Sequence, residues 1–309
     1  KNRIMQQKQS TREDYSRRIN TIIEYINNHL TDDMDLEVLS SIANFSPYHF
    51  HRIFKAFLGE PVGAFITRMK VETAARLLRY SDMPVQEIAY KVGYDVPSSL
   101  SKAFKQFYDI TPIEFKNNKK YTIMKPLKIN PNLELRKRVV NLEPMHAIYI
   151  CLFGDYNGND YCLAWQKLWQ YVHTSGKFSD DMGKACGTKT DIIKQMLNEC
   201  KIAHVGIYHS DPKVTQADKL QADVCLTLPF KMEPKGEIGA KEIAGGKYAA
   251  FLYQGTYDKL GEVYDTIFGK YIPDGGYQLD ERPVFEMYLN DPECTKPEDL
   301  QTEIYVPIV

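Results

Sequence analysis

The segment Leu220–Leu226, LQADVCL, returns eighty residues later as LQTEIYV at Leu300–Val306. At the same offset HVGIYHSDP (His204–Pro212) matches VFEMYLNDP (Val284–Pro292), and FGDY (Phe153–Tyr156) matches QGTY (Gln254–Tyr257) at an offset of 101. A chain that repeats a block of this size is expected to fold it twice. Each G-x-Y is followed by a stretch of helical period: CLAWQKLWQYV, with Leu163, Leu168 and Val172, and KLGEVYDTIFGKYI, with Leu260, Val263, Tyr264, Ile267 and Tyr271. The unequal offsets place a longer helix-to-strand connection in the first copy, around Ser179–Glu199. The prediction is an α+β domain of two βαββ repeats, one antiparallel sheet with two helices on one face. Its other face is left to be covered by something else, and a groove between the repeats is the natural ligand site.

The shared frame puts a carboxylate, Asp223 and then Glu303, inside a run that otherwise reads as a strand. A carboxylate in an apolar strand is costly unless paired. Alternation sets Glu303 and Tyr305 on one face and Ile304 and Val306 on the other, towards the helices. Glu286 and Tyr288 likewise share a face, as do Phe251 and Tyr253. Asp223 reads as structural.

The first part of the chain is helical. YSRRINTIIEYINNHL sets Ile19, Ile22, Ile23, Ile26 and Leu30 on one face. Asp35 is placed to cap a short helix from Leu36 to about Ala43, burying Leu36, Leu39 and Ala43. After the Asn44-Phe45 turn, Ser46-Pro47 starts a second helix, with Ser as the cap and Pro pre-set at the first position. That helix buries Phe50, Ile53, Phe54 and Phe57 and stops at Gly59, suited to a left-handed cap. The same design recurs about fifty residues on: Val85–Val92, a turn at Gly93, and a helix from Pro97 burying Leu100, Ala103, Phe104 and Phe107 or Tyr108. TRMKVETAARLLRYS connects the two through Met69, Thr73 or Ala74, Leu77 and Leu78. A short helix, a tight turn and a second helix form the unit that enters a DNA major groove.

SPYHFHRIFKAFLGEPVGAFITRMKVETAARLL followed by IAYKVGYDVPSSLSKAFKQFYDITPIEF resembles the DNA-binding domain of AraC/XylS-type transcription regulators, over Tyr15–Lys116. Asp109 stands where most members have Gly, and tolerates the left-handed conformation better than most residues. Leu100 replaces a common Phe in the core. The resemblance implies that each second helix lies in a major groove. Removing the core stripe leaves Tyr48, His49, His51, Arg52 and Lys55 on the first reader, and Ser98, Ser99, Ser101, Lys102 and Lys105 on the second. Arg52 is the foremost base-edge candidate, because a guanidinium pairs bidentately with guanine. Ser98, Ser99 and Lys102 match contact positions of the family, and Lys55 and Lys105 suit phosphate.

The repeated half, closing on PEDLQTEIYVPI, resembles the gyrase-inhibitor-like (GyrI-like) effector-binding domain that some AraC-type regulators carry. In that family the acidic residue of the last strand often floors an aromatic pocket for cationic or amphipathic molecules, a role the resemblance gives to Glu303. Tyr305, Tyr288, Glu286, Phe251, Tyr253, Tyr149 and Trp169 are the accompanying candidates, with Trp165 behind them. A lipophilic cation would supply the missing charge and the rings a cation–π surface.

The domain reading is an N-terminal tail (1–14), a DNA-binding domain (15–116), a basic, proline-containing linker (117–132) and an effector-binding domain (133–309). Residues 1–120 carry 18 Lys/Arg against 14 Asp/Glu and the remainder 21 against 26, so a basic half precedes an acidic one. That asymmetry fits a polyanion as partner of the first and a neutral or cationic one for the second. Cys151, Cys162, Cys186, Cys200, Cys225 and Cys294 form no C-x-x-C pair, which points to reduced thiols and neither a disulfide framework nor a metal site. The polar, basic start is not a signal peptide, and no run is long enough to span a bilayer. The expectation is a cytoplasmic DNA-binding regulator, an activator by family resemblance, without cofactor. Its partners would be double-stranded DNA, a small effector and RNA polymerase. Two alternatives concern the C-terminal domain: a protein-interaction module, and a hydrolase using a Tyr and a Glu.

Overall fold

The computed structural model describes residues 2–117, 128–175, 202–280 and 282–309. Most of the expected linker, the long connection around Ser179–Glu199, Cys186 and Cys200 lie outside them. The chain divides into two compact units: Lys1–Pro126 with Ser210–Gln216 and Lys235–Glu237, and Leu127–His209 with Ala217–Pro234 and Ile238–Val309.

The first unit is helical: α1 Asn2–Asn28, α2 Leu36–Ile42, α3 Pro47–Leu58, α4 Val62–Tyr80, α5 Val85–Lys91, α6 Pro97–Tyr108 and α7 Pro112–Asn117. Helix α1 takes in the stretch read as a tail. Asp35 caps α2, accepting from the Val38 amide at 2.7 Å. Ser46 is extended before Pro47 but makes no side-chain cap bond, so proline's fixed φ alone marks that start. Both reader helices end on a left-handed residue, Gly59 (φ 75°) and Asp109 (φ 61°), as their sequence positions require. Phe50, Phe54 and Phe65 are fully buried and meet edge to face at 5.6 Å, each such contact adding about 1 kcal/mol to the area term. Phe57 departs from expectation. It is 41% exposed, because it is one turn beyond Phe54 and Ile53 on the flank of the buried stripe. In α4, Ala74 rather than Thr73 takes the core position with Met69, Leu77 and Leu78.

The second unit is an eight-stranded antiparallel sheet of β1 (Arg136–Leu142), β2 (Met145–Phe153), β3 (His204–Tyr208), β4 (Gln221–Leu228), β5 (Gly239–Ile243), β6 (Gly246–Gln254), β7 (Val284–Tyr288) and β8 (Gln301–Pro307). The order is β1-β6-β8-β7-β3-β4-β2-β5. Helix α8 (Tyr161–Thr174) follows β2, and α9 (Leu260–Thr266) follows β6, running on through a π-helical turn at Ile267–Tyr271. The two βαββ copies are therefore β2-α8-β3-β4 and β6-α9-β7-β8. The turns correspond as well: the Gly154 and Gly255 amides donate to the Leu220 and Leu300 carbonyls, each at 2.9 Å.

Each copy also has a leading strand, and the two are exchanged: β1 precedes β2 but pairs with β6, while β5 precedes β6 but pairs with β2. Only Glu143–Pro144 and Ala244–Gly245 join these strands across the sheet order. Two residues span roughly 10 Å at most, so the ends of the sheet must curl towards each other. The face without helices is thus covered by the sheet itself, not by another element. Tyr149, Val205, Ile207, Cys225, Tyr248, Ala250, Phe285 and Tyr305 fill that concave side.

Both helices pack on the convex side. There Ala164, Leu168 and Val172 of α8 meet Ile148, Ile150, Val224 and Leu226. Val263 of α9 and Ile267 of its π-helical continuation meet Phe251, Ile304 and Val306. Leu163, expected in this interface, is 46% exposed, since Ala164 and Leu168 define the buried stripe one residue round the helix. Among the described residues Cys151, Cys162, Cys225 and Cys294 form no disulfide.

Candidate functional site

In the first unit the readers present their polar faces. Tyr48 is 73% exposed and His51, Arg52 and Lys55 are exposed, with the Arg52 guanidinium 5.6 Å from the centre of the Tyr48 ring. That contact holds a flexible side chain ready at the helix start. His49 is exposed but its ring lies against Tyr15 and Phe45, at 5.9 and 5.4 Å. On α6, Ser98, Ser99, Lys102 and Lys105 are exposed, whereas Ser101 is half-buried and donates to the Pro97 carbonyl.

In the second unit the register forms a row across six strands on the convex face: Phe251, Ile304, Glu286, Gly206, Val224 and Ile150. Its two halves are related by the repeat, so Glu286 and Gly206 are counterparts that meet at the centre. One carboxylate therefore sits in the middle of an apolar row, between the two helices, 2% exposed. Tyr288 donates to Glu286 Oε2 at 2.8 Å, and the Tyr208 and Tyr288 hydroxyls are 2.9 Å apart. The Tyr264 hydroxyl, from α9, is buried and approaches Glu286 without completing a hydrogen bond.

An outer shell of rings surrounds these groups. Tyr156 meets Tyr208 edge-on at 4.9 Å, Tyr257 meets Tyr288 at 5.7 Å, and Trp165 meets His204 at 4.7 Å and Tyr288 at 6.3 Å. Trp169 Nε1 donates to His204 Nε2 at 2.9 Å, which leaves the imidazole proton on Nδ1. Burial holds His204 down to about 4, so it is neutral.

Burial also pushes the Glu286 carboxyl up to about 7, although the Tyr288 hydrogen bond and the nearby Tyr264 and Tyr208 hydroxyls favour its ionised form. The same burial, with Glu286 nearby, raises the Tyr208, Tyr264 and Tyr288 hydroxyls well above their usual range, so they remain donors. The result is a desolvated carboxyl, poised to ionise and walled by electron-rich ring faces. Such a group lacks one thing, a counter-charge.

The sequence-derived set is split across the sheet. Glu286 and Tyr288 lie together at this centre. Phe251 and Tyr253 share its face but pack into the core under α9. Trp169 touches the site only through His204. Glu303, Tyr305 and Tyr149 lie on the concave face, because Glu303 pairs with Met287 and Tyr305 with Phe285, one residue out of phase with Glu286. Glu303 is not an unpaired floor. Arg138 contacts it at 2.8 Å and Tyr305 donates to it at 2.5 Å. Asp223 shares that face and takes Lys241 and His209, each at 2.6 Å. Tyr208, Tyr264, Tyr257, Tyr156 and Gly206 were not singled out as site residues. The signal was present, since aligning HVGIY with VFEMY puts Gly206 on Glu286 and Tyr208 on Tyr288.

Gly206 is there for space. A Cβ would lie 2.8 Å from the Tyr288 hydroxyl and 3.1 Å from Tyr208 Cε2. Gly206→Ala is expected to destabilise the protein by about 1–3 kcal/mol through overpacking. Adding Tyr288→Phe, which removes the clashing oxygen, should recover most of it. A urea double-mutant cycle checks this, and additive losses would place the clash elsewhere.

Two helix-turn-helix units thus precede a pseudo-twofold α+β unit that centres on a buried carboxyl. The C-terminal residues 137–309 match the GyrI-like small molecule binding domain, and the chain belongs to that family. Residues 39–118 match a helix-turn-helix domain. Similar proteins include the transcriptional regulator Rob of Salmonella typhimurium, 20% identical over 94% of this chain and 97% of Rob. The regulatory protein PocR of the same organism is 37% identical over 29% of this chain, which spans only 30% of PocR. The solved DNA-binding domain of AdpA, in complex with a target DNA, is 26% identical (TM-score 0.32) over 33% of this chain and 91% of that one. Among the described residues no helix is long and apolar enough to cross a membrane.

Proposed function

We propose that the protein binds DNA through α3 and α6 and senses a monovalent lipophilic cation, or an amphipathic molecule with a cationic end, at Glu286. The observation that supports this reading is the buried carboxyl at the centre of the apolar row, hydrogen-bonded by tyrosines yet without a cation of its own. The ligand's charge would lie against Glu286, and its flat apolar parts against Tyr156, Tyr257 and Trp165. The Tyr288–Glu286 hydrogen bond is equally the pairing that the hydrolase reading calls for, so recovery of intact ligand after the titration separates binding from turnover. The chain has two tryptophans, Trp165 and Trp169, and both lie within 6 Å of the His204 ring. Intrinsic fluorescence is therefore a local reporter. Titration with tetraphenylphosphonium should give a saturable change in the wild type. A flat titration at millimolar cation would end this assignment.

On the DNA side, Arg52 is the base reader and Lys55 a phosphate contact. After operator selection from random duplexes, Arg52→Ala should cost about 1–3 kcal/mol and relax one position of the selected site. Lys55→Ala should weaken all sequences alike and lower the salt slope by about one. Identical selected sites for wild type and Arg52→Ala would remove Arg52 from the reading role.

A further inference from the structure

Helix α9 carries polar groups that the effector site does not use. Asp265 and Thr266 are 4% and 0% exposed, and they turn away from Glu286 towards the segment that leads into β1. The Lys128 amide donates to Asp265 Oδ2 at 2.7 Å, and the Asn130 amide to Thr266 Oγ1 at 3.0 Å. Asn130 Nδ2 donates to Glu262 Oε1 at 2.6 Å, and Lys270 Nζ to the Pro131 carbonyl at 3.0 Å. Tyr271 closes the series. Its hydroxyl accepts from the Leu135 amide and donates to the Leu133 carbonyl, both at 3.0 Å. One helix and its π-helical continuation thus hold residues 128–135 by side chains alone.

The residue before Asp265 is Tyr264, whose buried hydroxyl stands beside Glu286 without a completed hydrogen bond. Adjacent residues of α9 therefore face two ways: Tyr264 to the sensing carboxyl, Asp265 and Thr266 to the strap. Val263 and Ile267 fix the helix to the sheet between them. A buried hydroxyl left unpaired costs about 1–3 kcal/mol, so a ligand that lets it pair has leverage on the helix. The π-helical turn directly after Thr266 is a place where a helix tolerates a change of register.

We propose that α9 transmits effector occupancy to residues 128–135, the stretch with which the chain first enters the sensing unit from the helical one. Pairing of Tyr264 on occupancy draws its turn of α9 onto the site and tightens the strap. This rests on Glu286 being the effector's counter-charge, and a single experiment separates the two claims.

Amide exchange of the full chain is measured with and without saturating tetraphenylphosphonium, while fluorescence follows binding. Exchange across 128–135 is expected to slow by about 5-fold or more. Tyr264→Phe should lose that slowing even when the cation concentration is raised until the fluorescence change saturates. Thr266→Val, which loosens the strap without touching the site, should weaken cation binding by a similar factor, since coupling free energies are reciprocal. Saturable binding with unchanged exchange at 128–135, or cation affinity untouched by Thr266→Val, overturns the proposal and leaves the site standing. No saturable binding overturns both.

Discussion

Glu286→Gln should lower tetraphenylphosphonium affinity at pH 8 by at least about 30-fold, because removing one partner of a buried charge pair costs about 2–5 kcal/mol. The wild type should also lose affinity as the solution is acidified, by about tenfold per pH unit below about 7. Glu286 is held up to about 7 by burial, so at lower pH the ligand must first displace its proton. Glu286→Gln has no proton to lose and should bind weakly at every pH. An affinity ratio between wild type and mutant that is constant from pH 5 to pH 8 would show that Glu286 does not carry the charge.

The stability of the free protein should move the opposite way. The folded-state value for Glu286 lies above that of an unfolded Glu, so the folded protein holds the proton more tightly. That contribution is fully present below about pH 4.5 and lost as the pH rises through about 7. Above pH 7 the folded state bears a desolvated carboxylate, at a cost of about 3 kcal/mol. Glu286→Gln should therefore be more stable than wild type at pH 8 by up to that amount and equal to it near pH 4. Urea melts at the two values measure this. A residue that is better for stability when lost, and worse for binding, is one kept for its ligand.

The two halves of the chain were unequally legible, for physical reasons. Gly59, Asp109 and Asp35 act through their own backbone or a neighbour three residues away, so the reader helices could be placed from local sequence. The strand parity of Glu303 with Tyr305 and of Glu286 with Tyr288 was also local, and correct. Which of those pairs faces the helices depends on the pairing of β7 with β8. There Phe285 meets Tyr305 and Glu286 meets Ile304, a register no single strand specifies. The leading strands were hidden for another reason. Arg136–Leu142 is mostly exposed and opens on three basic residues, and only Val140 and Leu142 turn an apolar side to the core. Their exchange between repeats is a long-range fact, and it turns an apparently open sheet face into a closed one.

That exchange also explains the acids of the repeated Leu-Gln-x-acid frame, and the expected cost of disturbing them differs sharply between the copies. Asp223 of the first copy pairs with Lys241 of β5, the leading strand of the second, and Glu303 of the second pairs with Arg138 of β1, the leading strand of the first. Each ion pair holds an exchanged strand. Lys241 and Asp223 have side chains 5% and 1% exposed, whereas Arg138 is 60% exposed. Lys241→Met should therefore destabilise by about 3–5 kcal/mol, leaving the buried Asp223 with the His209 hydrogen bond and with Oδ1 already unpartnered. Arg138→Met should cost no more than about 1 kcal/mol, since solvent replaces an exposed partner and Tyr305 still donates to Glu303. The pH dependence separates them further. Although burial alone would raise it, Lys241 and His209 hold Asp223 well below the usual carboxylate range. Its contribution to stability is thus present above about pH 4 and fades as the pH falls below that. Lys241→Met should begin losing stability at a higher pH than wild type, and Asp223→Asn in the same chain should restore much of the loss. Equal costs for Lys241→Met and Arg138→Met would mean that burial does not set the strength of these locks, and that the exchanged strands are held by their backbone ladders alone.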